Sequence, residues 1–222
     1  MTRLQLAPSI LTADFARLGE EVRSVSEYVD WFHLDVMDGH YVDNITFGAS
    51  TIRAVDDSVD RPLHVHLMIQ DPAKYVESFV TAGADRISVH PEVTPDPGEV
   101  IDAIASLGAE VGLAVHPDVG IGAVEPYLGA LDVVLMMTVR PGFGGQAFLD
   151  EVVPEIGRAR ELIRSGGYRA DLEIDGGVNL TTIDAAVAAG GDILVAGSAI
   201  FDGVDAPAAA ARLRAHLDGL QT

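Results

Sequence analysis

At 222 residues the chain is about one and a half times a ~150-residue domain, a length that one α/β barrel also covers. Its 34 acidic and 14 basic residues give a net charge of −20, which excludes a general binder of nucleic acid or anionic membrane. Cysteine is absent, and with it go disulfide scaffolds, thiolate zinc sites and thiol nucleophiles. No charged start leads into a long apolar stretch and a cleavage site, and no window offers ~18 unbroken apolar residues. The expectation is a cytoplasmic protein.

Short runs rich in Val, Ile and Leu recur along the chain and predict strands buried on both faces. They are Leu4–Pro8, Trp31–Met37, Leu63–Leu67, Arg86–Val89, Glu110–Val115, Val133–Thr138, Ala170–Ile174 and Ile193–Ala196. Helical patterns lie between them. Asp14 to Val29 spaces Phe15, Leu18, Val22 and Val25 along one helical face. Asp71-Pro72 reads as an N-cap followed by proline at the first helical position. Asn179 to Thr182 leads into Ile183–Ala189 and a Gly190-Gly191 stop, and Ala206–Leu220 is a closing helix. Parallel strands need such crossovers, and eight right-handed units close a barrel. The expected fold is therefore α/β, a single (β/α)₈ TIM barrel over 1–222. An open doubly wound sheet would carry a Gly-rich turn after its first strand, but Ala7-Pro8-Ser9 stands there.

Barrel chemistry sits at the C-terminal ends of strands. The polar residues there are Ser9, His33, Asp35, Asp38, His64, His66, His90, Glu173 and Asp175. Alternation along a strand puts His33, Asp35 and Met37 on one face, His64, His66 and Met68 on another, and Glu173 with Asp175 on a third. If these faces meet in the mouth, His33, Asp35, His66 and Asp175 converge. Two imidazoles and two carboxylates suit one divalent transition metal: Zn²⁺, Fe²⁺, Mn²⁺ or Co²⁺. Opposed carboxylates can take a proton from one side of a planar enediolate and return one to the other, inverting a carbon without a redox cofactor. Met37, Met68 and Met137 fit an apolar cap over such an intermediate. Glycine-rich turns follow the last three strands: Pro141 to Gln146, Asp175 to Asn179 and Ala196 to Ala199, the last opening a helix. Their amides suit an anion that the chain's overall charge would repel.

These motifs, in this order, resemble ribulose-phosphate 3-epimerase over nearly the whole chain. The likeness rests on Ala7 to Leu11 with Ala13-Asp14-Phe15, His33 to Gly39, Asn44, and Thr46 to Gly48. It continues through His66-Leu67-Met68, Met137 to Val139, Pro141 to Gln146, Glu173 to Gly177 and Val195 to Ser198. The resemblance implies a barrel of the ribulose-phosphate-binding type, which interconverts D-ribulose 5-phosphate and D-xylulose 5-phosphate with a divalent metal. It implies that His33, Asp35, His66 and Asp175 are the ligands and that Asp35 and Asp175 are the acid/base pair. Ser9 and His66 would touch substrate, while Gly142, Phe143, Gly144, Gly145, Gly176, Gly177, Gly197 and Ser198 would cradle it. It also implies a homo-oligomer.

Four positions depart from the family pattern near the expected mouth. Asp43 replaces a usual proline, His64 an aspartate, and Arg140 an Asn, Asp or Glu; His116-Pro117-Asp118-Val119 replaces an Asn-Pro-x-Thr-Pro stretch. They bear on the choice of sugar. A 3-epimerase of a ketohexose 6-phosphate such as D-allulose 6-phosphate is the nearest rival. A non-catalytic sugar-phosphate-binding barrel is another, but it has no need of opposed carboxylates. A Schiff-base aldolase would need a strand lysine, and the only lysine is Lys74 in an expected helix. A related decarboxylase would need a lysine between its aspartates, where Asp35-Val36-Met37-Asp38 has none.

Overall fold

A computed structural model describes residues 3–221. Its eight strands are all parallel. They are β1 Gln5–Pro8, β2 Phe32–Met37, β3 Leu63–Met68, β4 Arg86–Val89, β5 Glu110–Val115, β6 Val133–Met137, β7 Asp171–Asp175 and β8 Ile193–Ala196. Each lies within two residues of its predicted bounds. The order runs from β2 through β3 to β8 and then to β1, and a bridge between Ser9 and His33 closes the ring into a (β/α)₈ barrel.

Among the described residues seven α-helices surround the strands: α1 Leu18–Val25, α2 Ala49–Asp56, α3 Val76–Thr81, α4 Pro97–Ser106, α5 Val153–Ser165, α6 Ile183–Ala188 and α7 Ala206–Leu220. The crossover from β5 to β6 is made of 3₁₀ turns instead, Ile121–Ala123 and Glu125–Ala130. Gly122, Pro126 and Gly129 in this stretch disfavour a regular α-helix. The predicted helix over Asp14 to Val29 is α1 flanked by two 3₁₀ turns, so its ends are tighter than the apolar spacing suggested. Asp71 does not cap as expected. It sits at φ +52° without a side-chain cap bond. An N-cap side chain reaches the first-turn amides from an extended backbone, as Asp96 does ahead of Pro97, and the left-handed Asp71 does not meet that condition. The Gly197-Ser198 turn also differs from expectation. It closes once, through Ile200 N and Phe201 N to Gly197 O, and the next helix begins only at Ala206.

A repeated device seals the floor. Asp30, Asp85, Asp132 and Asp192 stand just ahead of β2, β4, β6 and β8. Their Oδ2 atoms accept from Leu6, Leu63, Val111 and Leu172 N at 2.8–2.9 Å. Four backbone donors at the strand starts are thus satisfied where water would otherwise compete.

The barrel axis is layered, and half of it is polar. At the floor the Arg86 guanidinium lies 4.1 Å from the Trp31 ring centroid and donates to Glu110 Oε2 at 2.5 and 2.8 Å. Above it lie His33, His64, Ser88 and Glu173, and above those Ser9, Asp35, His66, His90 and Asp175, all buried. Ala7, Ile193 and Val195 fill one side of the axis, and Ala114, Leu135, Met137 and Val139 another. Gly112 on β5 leaves the room that Ser88 needs. A Cβ there would collide with Ser88 Oγ and come within 2.6 Å of Val133 Cγ1.

Candidate functional site

The side chains that converge at the barrel mouth come from β2, β3 and β7, as alternation predicts. One ligand atom from each of His33, Asp35, His66 and Asp175 lies within 4.8 Å of the others, and all four residues are buried. His33 Nε2 stands 3.3 Å from Asp35 Oδ1 and 3.7 Å from Asp175 Oδ2. His66 Nδ1 stands 3.1 Å from Asp35 Oδ1 and 3.9 Å from Asp175 Oδ2. Ser9 Oγ donates to the other Asp35 oxygen at 2.6 Å.

The donor set fits a divalent cation on an observation independent of composition. His33 Nε2 is buried with no hydrogen-bond partner among the described residues. Such an orphan between two carboxylates is costly unless a positive charge, a cation or a proton, sits at that nitrogen. Its other nitrogen, Nδ1, lies 2.9 Å from Glu173 Oε1, which directs the hydrogen there and leaves Nε2 open toward the carboxylates. Mixed imidazole and carboxylate donors suit a transition metal better than Mg²⁺ or Ca²⁺.

A second close group, His33, His64 and Glu173, lies one layer down. Its positive charge is already supplied, because Arg86 Nη1 stands 3.5 Å from Glu173 Oε2. His64 Nδ1 contacts the same oxygen at 2.8 Å, and His64 Nε2 contacts Ser88 Oγ at 2.7 Å. The sequence places His64 near the mouth. The structure puts it level with His33 and one layer beneath Asp35 and His66, because it precedes His66 by one inward position of β3.

The electrostatics of the two aspartates differ. Burial drives the Asp175 carboxyl up, and the neighbouring Asp35 charge drives it further. Burial also opposes ionisation of Asp35, but His33 and His66 outweigh it and hold Asp35 well below the usual carboxylate range. One site thus favours a protonated and an ionised carboxyl side by side, the pairing that acid/base work requires. Burial lowers His64 to about 4 and His66 to about 3, so both imidazoles are neutral near pH 7.

Above the carboxylates opens a cleft of about 540 Å³. Ser9, Asp35 and Asp175 are in its lining, as are Met37, Met68 and Met137. The three glycine-rich turns form its rim through Gly142, Phe143, Gly144, Gly145, Gly176, Gly177, Gly197 and Ser198. His66 lies beneath and outside this lining. Gly177 has φ +66°, and a Cβ there would stand 2.7 Å from Phe148 Cα, so only glycine lets the two loops approach. Asn44 Nδ2 donates to Gly142 O at 2.7 Å, and Gln146 Nε2 donates to Arg140 O and Phe143 O. These bonds shape the loop from both ends.

Of the departures, Arg140 pairs with Asp118 at 2.9 Å in an exposed setting, and Asp43 is exposed. His116 is half-buried, with its ring 6.5 Å from that of His90. Sequence reasoning assigns no role to Arg86, Ser88, Thr12 or Glu173. Thr12 lines the cleft, and its hydroxyl is buried without a partner among the described residues. The period of two along β4 is a usable signal for the polar run Arg86, Ser88, His90.

Comparison with known proteins places this geometry. A profile described as the "Ribulose-phosphate 3 epimerase family" matches residues 5–201. The ribulose-phosphate 3-epimerase of Bacillus subtilis (strain 168) is 43% identical over 213 residues, covering 95% of this chain and 98% of that protein. The chloroplastic ribulose-5-phosphate-3-epimerase of Arabidopsis thaliana is 43% identical over 203 residues, covering 90% of this chain and 72% of that one. Among solved structures, KGPDC from Streptococcus mutans superposes with a TM-score of 0.74 at 14% identity, covering 97% of this chain and 98% of that one. The 3-hexulose-6-phosphate synthase of Salmonella typhimurium gives 0.76 at 17% identity, covering 97% and 99%. The last two share the barrel alone. With a profile match over most of its length and relatives above 40% identity, the chain belongs to the ribulose-phosphate 3-epimerase family.

Proposed function

We propose that the chain inverts C3 of D-ribulose 5-phosphate to give D-xylulose 5-phosphate, with Asp35 and Asp175 as the acid/base pair. One divalent transition metal is assigned to His33, Asp35, His66 and Asp175. The observation that carries this reading is the meeting of those four side chains, with an orphaned His33 Nε2, at the floor of a cleft ringed by glycine-rich turns.

The ketose has an acidic hydrogen on C3, next to its C2 carbonyl. One carboxylate takes that proton, and the C–H electron pair moves into the C2–C3 bond while the carbonyl pair moves to oxygen. The other carboxyl gives its proton to the opposite face of C3, where the C2–C3 π pair forms the new C–H bond and the oxygen pair returns to rebuild the C2 carbonyl. The carbon is inverted, no atom is gained or lost, and the two carboxyls have exchanged roles. A bound ion supplies positive charge for the developing oxyanion. Ser9 holds one Asp35 oxygen by hydrogen bonding and so orients the carboxylate. Met37, Met68 and Met137 limit the access of water to the intermediate. The glycine-rich turns receive the phosphate through local amide dipoles, which a net charge of −20 makes necessary.

The same reading takes 1–222 as one domain and the protein as a cytoplasmic homo-oligomer without nucleic-acid or membrane partners. The acidity supports the absence of polyanionic partners. Among the described residues no helix is long and apolar enough to cross a membrane. Zn²⁺, Fe²⁺, Mn²⁺ and Co²⁺ are the candidate ions.

The test is exchange of the C3 hydrogen with deuterated water, run on pentulose 5-phosphates and hexulose 6-phosphates. Exchange is expected with ribulose 5-phosphate and xylulose 5-phosphate. Exchange with no ketose phosphate overturns the reaction, and faster exchange with a hexulose phosphate such as allulose 6-phosphate overturns the sugar.

A further inference from the structure

Strand β4 leads into His90, whose ring the reaction above leaves unused. This imidazole is fully buried and links the ligand cluster to the surface. Its Nε2 lies 2.9 Å from Nε2 of His66, with the two ring centroids 5.1 Å apart. Its Nδ1 lies 3.1 Å from Glu92 Oε1 and 3.0 Å from the Tyr41 hydroxyl. Tyr41 in turn donates to the same Glu92 oxygen at 2.7 Å. Four side chains therefore run in line from the metal-ligand cluster outward: His66, His90, then Glu92 with Tyr41.

Two facing Nε2 atoms at 2.9 Å share one hydrogen, so one ring donates and the other accepts. The direction follows from the inner end. His66 Nδ1 points at Asp35 and Asp175, so Nδ1 is the nitrogen that must offer a lone pair to an ion there. Its hydrogen then belongs on Nε2. His90 Nε2 becomes the acceptor, which places the His90 hydrogen on Nδ1, facing Glu92. An ionised carboxylate at that end completes the chain. Burial opposes ionisation of Glu92, but hydrogen bonds from His90 and Tyr41 outweigh it and hold the group below the usual range.

We propose that Glu92 and His90 are positioning residues for the metal. Acting through the His66 ring, they fix which of its nitrogens carries hydrogen, while Tyr41 holds the Glu92 carboxylate in place. This rests on the metal assignment above.

The experiment uses the full chain, labelled with ¹⁵N-histidine and loaded with Zn²⁺ as a diamagnetic probe. Nitrogen–proton correlation spectra report the hydrogen-bearing nitrogen of each ring, and chelator competition reports zinc affinity. The parent is expected to show hydrogen on His66 Nε2 and His90 Nδ1. Glu92→Gln keeps the shape but weakens the acceptor. It is expected to bind zinc about 10- to 100-fold more weakly, with a mixed His90 tautomer and an unchanged melting temperature when metal-free. Glu92→Asp should recover part of the affinity, and Tyr41→Phe should lose less than Glu92→Gln. Hydrogen on His90 Nε2 in the zinc-loaded parent overturns the proposal. So does zinc binding by Glu92→Gln within about twofold of the parent, and in both cases the metal site itself stands. Failure of the parent to bind zinc, iron, manganese or cobalt overturns the metal assignment and this inference together.

Discussion

His33 Nδ1 lies 2.9 Å from Glu173 Oε1, and neither side chain is exposed to solvent by more than 1%. This one contact joins the site to the charged column beneath it. Glu173 also receives His64 and faces Arg86, and its carboxyl is held low because these partners outweigh the cost of burial. Removing one member of a buried ionic group costs about 3–5 kcal/mol, since the remaining charge loses its counterion. Glu173→Gln should lower the urea unfolding midpoint by a corresponding amount. An unchanged midpoint would show that Glu110 and Trp31 alone suffice to hold Arg86.

Asp175 tests the chemistry more directly. Asp175→Asn should slow C3 hydrogen exchange by about 10²–10⁴-fold, the usual contribution of a positioned acid or base. Sugar-phosphate binding, measured by calorimetry, should survive because the rim glycines are untouched. Exchange at the parent rate would move the acid/base role away from this residue.

Metal removal should act on both activity and stability. Dialysis against a chelator should abolish epimerisation, and addition of one of the four candidate ions should restore it. The melting temperature should also fall on chelation and rise with added ion, because a ligand that binds only the native state stabilises it by mass action. A chelated protein with full turnover would show that the cation is not used.

The cradle makes a separate prediction. Gly177→Ala places a methyl group against the Phe148 backbone at a φ that favours glycine. Strain of about 1–3 kcal/mol is expected, relieved by outward movement of the loop that carries Ala147 and Phe148. Steady-state kinetics should show a raised KM for the sugar phosphate with a smaller change in kcat. Unchanged KM would show that this approach of the two loops does not shape the phosphate end.

Much of the fold is written in local patterns. All eight strands are legible because each is a compact apolar run with turn residues at its ends. The four ligand-type residues are legible because alternation fixes which side chains share a strand face, as with His33 and Asp35. What pairs across the barrel is not. Arg86 meets Glu173 through barrel closure, from strands far apart in sequence. The descent of His64 to the layer below His66 depends on the strand's tilt and depth as well as its periodicity. Asp71 fails as a cap because its backbone is left-handed, whereas Asp96, also followed by proline, stays extended and caps Gly98 N. The turn after β8 shows its glycines but not its length: a single turn at Gly197 and then a loop before α7.

Gly112 carries a last consequence. It adds no atom to the charged column, yet its missing methyl is the space that Ser88 occupies beside His64. A strand remote from the reacting carbon thereby sets the alignment of the imidazoles above it through an omission. Enlarging that one position would press sideways on Ser88, then on His64 and Glu173, and so tilt the ring of His33 without touching any group that meets the sugar.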